Sequence, residues 1–151
     1  MIKRALLTIV AILVAGGAMM LYGTYKAADD FVAKNEPQLR QYAQMDEAAQ
    51  NQYVVEHADE LLSQAAVNAK PEEKADVAFL NRIKDDPAVQ KAVADLGRAI
   101  MAAAILHSDA IAQDLNDTLK AKFAQEKSEL TNRLEKYGEA LEAAEAKFKA
   151  Q

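Results

Sequence analysis

Hydrophobic and polar positions divide this chain in two. From Ala5 to Tyr22 the segment ALLTIVAILVAGGAMMLY runs 18 residues without a charge. After Lys26, apolar residues recur every three or four positions between charged ones. The first pattern predicts a transmembrane helix, because about 20 helical residues cross a hydrocarbon core of about 30 Å. Lys3 and Arg4 precede the run, which predicts a cytoplasmic N-terminus and an outer, periplasmic-type location for the remainder of the chain. Tyr22 and Tyr25 then fall at the outer interface, where amphipathic rings collect. The competing reading is a cleaved signal peptide, with Ala15, Gly16, Gly17 and Ala18 as small residues for a peptidase. The apolar run continues past them through Met19, Met20, Leu21 and Tyr22, which favours a retained signal-anchor. Residues 1–26 are therefore expected to be the anchor, 27–36 a juxtamembrane extension and 37–151 a helical bundle domain.

The second pattern has the helical period. A helix leaving the membrane is expected to run to about Lys34 and break at Asn35-Glu36-Pro37, since proline suits a first turn better than a helix interior. A second helix is expected from Pro37 to about Asn68. Its apolar positions Leu39, Tyr42, Met45 and Ala49 continue through Val54, Ala58, Leu61 and Leu62 with a small shift in phase. Pro71 opens a short third helix over about Glu72 to Lys84. Asp86-Pro87 supplies a cap and first residue for a fourth. Val89, Val93, Leu96, Ile100, Ala103, Ala104 and Ile111 line one side of that helix. Its run Ala99–Leu106, AIMAAAIL, is too short to span a membrane and predicts a buried core helix. Arg98 lies opposite the apolar centre and is expected in solvent. Leu115-Asn116-Asp117-Thr118 carries turn and cap residues, so a final helix is expected from about Thr118 to Lys149. There Leu130, Leu134, Tyr137, Leu141, Ala144 and Phe148 alternate spacings of four and three, a heptad seam flanked by charge.

These elements make the expected fold class all-α: a single N-terminal transmembrane helix followed by an extramembrane antiparallel helical bundle with a heptad-patterned C-terminal helix. Composition agrees. The 151 residues include five glycines, three prolines and no cysteine. Helix formers dominate, and no alternating segment predicts a strand. The lack of cysteine removes disulfides, thiolate nucleophiles, cysteine-ligated metals and lipidated cysteine. Net charge is −5, every acidic residue lies after the apolar run, and no basic patch points to nucleic acid.

Candidate chemistry is sparse. His57 and Glu60 form an H-x-x-E pair, an incomplete set for a metal-centred bundle, so no metal site is expected. His107 falls on the apolar side of the fourth helix, where an imidazole needs a hydrogen-bond partner or stays neutral. It is the candidate ligand-binding or pH-sensitive residue. No phosphate loop, nucleophile elbow or H-E-x-x-H motif occurs, so neither an enzyme nor a cofactor is expected. In the membrane segment Thr8, Ala11, Ala15 and Ala18 form a stripe of small residues of the kind that lets another helix approach closely.

The function expected from these features is a non-enzymatic, single-pass accessory or scaffold subunit of an envelope membrane protein complex. Its contacts would be the small-residue stripe in the membrane and Leu130, Leu134, Tyr137, Leu141 and Phe148 outside. The expected partners are other membrane protein subunits and the bilayer, with homo-oligomers also open. Two alternatives stand beside this reading. In length and layout the chain resembles, in outline, phage inner-membrane spanins, which implies an envelope-spanning lysis factor. A small-ligand or haem-binding bundle centred on His107 is the other.

Overall fold

The computed structural model describes residues 25–68, 71 and 74–149, and among them it is all-α with no strand. Seven helices succeed one another: α1 (Tyr25–Ala43), α2 (Glu47–Asn68), α3 (Lys74–Ile83), α4 (Pro87–His107), α5 (Asp109–Gln113), α6 (Asp117–Ser128) and α7 (Leu130–Lys149). The expected membrane anchor falls on residues that lie outside this set. Among the described residues no helix is long and apolar enough to cross a membrane.

The bundle is built around α4, which packs against α1, α2, α6 and α7. Its start obeys the local rules. Asp86 caps it, its carboxylate accepting the N–H groups of Ala88 and Val89 at 3.0 and 3.2 Å, and Pro87 fills the first turn. The run from Leu96 to Ala99 is buried at every position, as is that from Ala102 to Ile105. A helix apolar on most sides belongs inside a bundle, and short alanines let several neighbours approach it at once.

Cross-helix contacts fix the chain direction. Lys147 on α7 reaches Asp86 at the start of α4, Arg133 reaches Asp95, and Glu126 on α6 reaches Arg98. Residues late in α7 thus meet residues early in α4, so α6 and α7 run antiparallel to it. Two apolar clusters result. One joins Val77, Leu80 and Ile83 of α3 to Val89 and Leu96 of α4 and to Leu130, Tyr137 and Leu141 of α7. The other joins Val32, Leu39 and Tyr42 of α1 to Val54, Ile105, Ile111 and Phe123.

Three boundaries differ from those the sequence predicts. Helix α1 runs straight through Pro37 and ends at Ala43. Proline cannot donate to the carbonyl of Ala33, but both residues are exposed, so water satisfies that carbonyl and the loss is small. The real break is at residues 44–46, where Asp46 caps α2 by accepting the Ala49 N–H at 2.8 Å. The fourth helix stops at His107. Ser108 closes α4 with its own N–H to the Ile105 carbonyl and opens α5 by accepting the Ile111 N–H at its hydroxyl. Finally, the expected C-terminal helix has a joint at Glu129, whose N–H bonds the Glu126 carbonyl three residues back while its carbonyl takes the usual bond from Arg133.

Candidate functional site

Two features of the bundle carry chemistry: a charge cluster midway along α4 and a pocket beside α3. The cluster centres on Arg98, which is only 7 % exposed; this corrects the expectation that it faces solvent. Counting apolar faces places Arg98 outside, but α4 has no outside at that level, because α2 and α6 close over it. Its Nη1 meets Glu47 Oε1 at 2.7 Å and Glu126 Oε1 at 3.6 Å, and its Nη2 meets Asp95 Oδ1 at 2.6 Å. Its Nε is buried with no partner among the described residues. Arg133 completes the group. It donates from Nη1 to Glu126 Oε2 and to the Asp95 carbonyl, both at 2.8 Å, and from Nη2 to Glu129. Arg133 therefore ties α6, the joint at Glu129 and α4 together. Burial opposes charge on Asp95, yet hydrogen bonds from Lys91 and Arg98 outweigh it and hold its carboxyl below the usual range.

Every charge in this cluster meets an opposite one at short range, so the cluster ties α2, α4, α6 and α7 together. Paired charges of this kind contribute little net stability, but removing one partner strands the others.

The pocket has a volume of about 240 Å³ and lies between α2, α3, α4 and α7. Leu80, Ile83, Val89, Tyr137 and Leu141 are its buried wall, and Glu56, Asp59 and Asp85 are exposed at its rim. Lys84 also sits at the rim and binds Asp59 at 3.0 Å. The Tyr137 hydroxyl bonds no described residue, and burial alone pushes its ionisation well above the usual phenol range.

The residues that the sequence singles out are scattered over the bundle. Leu130, Tyr137 and Leu141 are 7 %, 1 % and 0 % exposed, and Leu134 is half-buried against the same cluster. The heptad seam therefore packs on the domain's own α3 and α4. The side chain of Phe148, and the stripe Thr8, Ala11, Ala15 and Ala18, lie outside the described residues. His107 is half-buried at the last residue of α4 and does not line the pocket. His57 is exposed and stacked on Tyr53, with ring centroids 5.7 Å apart, and its Nδ1 lies 3.8 Å from Glu60. Among the described residues no group of three or more His, Cys, Asp or Glu side chains is placed to hold a metal.

Sequence reasoning misses both Arg98 and the pocket. The signal for Arg98 is present: an arginine three residues after an aspartate, inside a stretch otherwise made of leucine, glycine, alanine and isoleucine. A pocket formed by four helices leaves no such local trace. No protein-family model, no curated protein and no solved structure matches this chain.

Proposed function

We propose that the protein is a non-enzymatic, single-pass accessory or scaffold subunit of an envelope membrane protein complex. Residues 1–26 act as a signal-anchor with the N-terminus in the cytoplasm, and the bundle lies on the periplasmic side. The observation that carries this reading is the uncharged run Ala5–Tyr22. Helix α1 is itself part of the bundle core through Val32, Leu39 and Tyr42. Arg40 fastens it further, reaching Asp114 at 2.5 Å and the Ala110 carbonyl at 3.4 Å.

The envelope-spanning alternative needs an extended rod. A helix buried among four others favours a globule instead. The ligand-binding alternative moves from His107 to the pocket beside Tyr137.

Native mass spectrometry after mild-detergent extraction tests the proposal. The expected result is a full-length chain inside a larger assembly whose mass identifies its partners. Replacing Ala11 and Ala15 with leucine should reduce recovery of that assembly, because close helix approach needs small side chains. A free chain shortened at its N-terminus would overturn the proposal.

A further inference from the structure

We infer that the pocket between α2, α3, α4 and α7 is a binding site for a small amine with an apolar body, of arylalkylamine size. Three independent observations converge on it, and none depends on the accessory-subunit reading.

The first is volume. A cavity of about 150 Å³ already accepts benzene, so about 240 Å³ takes an aromatic ring with a short chain. The second is polarity arranged by depth. The wall is aliphatic (Leu80, Ile83, Val89 and Leu141), while the exposed rim bears the carboxylates of Glu56, Asp59 and Asp85 against the single ammonium of Lys84. Lys84 is already committed to Asp59. Glu56 and Asp85 are left in excess, so the mouth favours a cation and disfavours an anion. The third is Tyr137. It is 1 % exposed, lines the pocket, and its hydroxyl has no hydrogen-bond partner among the described residues. No described residue satisfies that hydroxyl, so it meets water in the pocket and offers a hydrogen bond to a ligand that displaces it. Sites of this design, largely apolar with few placed polar groups, are the usual form of small-molecule sites.

The test is equilibrium dialysis of the full-length protein in mild detergent against phenethylamine, phenethyl alcohol and hydrocinnamate. These share one ring and chain but present a cation, a neutral group and an anion. Saturable binding of phenethylamine is expected, about tenfold tighter than the alcohol and tighter still than the acid. Val93→Phe, which fills the pocket, should abolish binding, and Tyr137→Phe should weaken it about threefold. The double variant Glu56→Gln/Asp85→Asn should erase the preference for the amine while helicity stays unchanged. If Val93→Phe fails to fold, the double variant decides, since both of its residues are exposed. The inference is overturned if phenethylamine does not bind saturably, if hydrocinnamate binds as well as the amine, or if the double variant keeps the preference.

Discussion

Gly97 brings α4 close against Val54 of α2, and it gives the sharpest test of the packing. A Cβ built there would lie 2.1 Å from Val54 Cγ1 and 3.2 Å from both Val54 Cβ and Cγ2. Carbon atoms pack at about 3.5–4.0 Å, so Gly97→Ala creates an overlap of more than about 1 Å. Rotating Val54 is a poor escape, because a β-branched side chain in a helix has one strongly preferred rotamer. The helices must separate or Val54 must adopt a strained conformation, and overpacking of this kind costs about 2–3 kcal/mol. Alanine returns about 1 kcal/mol through its better helix propensity. The net effect is a loss of about 1–2 kcal/mol, or about 4–8 °C in Tm for a domain of this size. Val54→Ala alone should cost about 2 kcal/mol for its lost burial. In combination the two should interact favourably. The double variant has room for the new methyl group, and its loss should fall about 2 kcal/mol short of the sum. Thermal and urea unfolding of all four proteins, followed by circular dichroism, supplies the cycle. If Gly97→Ala raises Tm, as a glycine-to-alanine change on an open helix face does, the close approach of α2 and α4 is wrong. Additivity within about 0.5 kcal/mol would refute it equally.

Further predictions concern charge and pH. Arg98→Met should cost about 2–3 kcal/mol because it leaves Asp95 only Lys91 and the part-buried Glu126 only Arg133, whereas Glu47→Ala, whose side chain is 63 % exposed, should cost under about 1 kcal/mol; equal losses would show that Arg98 is not the centre of the cluster. Asp86 is held below the usual carboxylate range by the Val89 N–H and then by Lys147, and Asp95 is lowered by Lys91 and Arg98 against the opposing effect of burial. The unfolded chain therefore takes up these protons first as pH falls, so their stabilisation is present above about pH 4 and lost below it. Asp86→Asn/Asp95→Asn should flatten the acid limb of Tm against pH; an unchanged slope would assign that limb to other carboxylates. Burial raises the ionisation of Tyr42 and Tyr137 well above that of an ordinary phenol. Their contribution is complete below about pH 10 and disappears as pH rises toward their folded values. Ultraviolet titration should show these two phenols ionising only as helicity is lost; ordinary titration of all five tyrosines in a folded chain would contradict their burial.

Much of the architecture is readable from local chemistry. The start of α4 is specified by two adjacent residues, Asp86 and Pro87, and both act as their types predict. The turn before α6 is specified in the same way by Leu115 and Asn116. The turn before α2 has the same form, with Met45 and Asp46 in place of Leu115 and Asn116, and it ends α1. It is easily overlooked because Pro37, eight residues earlier, looks like the stronger signal. Proline is a weak stop where the carbonyl it deprives faces water, and solvent exposure is a tertiary property. The burial of Arg98 is tertiary for the same reason. An arginine beside a glycine and an alanine marks a polar edge only if nothing packs there, and here α2 and α6 bring Glu47 and Glu126 to it. The heptad seam of α7 is legible as an apolar surface, whereas the choice of α3 and α4 as its cover is not.

The antiparallel pairing of α4 with α6 and α7 has a consequence for the order in which the domain assembles. Those helices are neighbours in sequence, joined through residues 108–116, so their contacts close a short loop and need little chain entropy. The segment from Pro87 to Lys149 is the natural early unit. Helices α1 and α2 are connected to it through longer excursions and dock onto a surface already formed. Unfolding under tension applied at the N-terminal end should then reverse that order. Helix α1, held by Val32, Leu39 and Tyr42 in the second apolar cluster and by Arg40, is expected to peel away first while α4, α6 and α7 stay together. The domain is built to yield at the end nearest the apolar run and to retain its fold at the other.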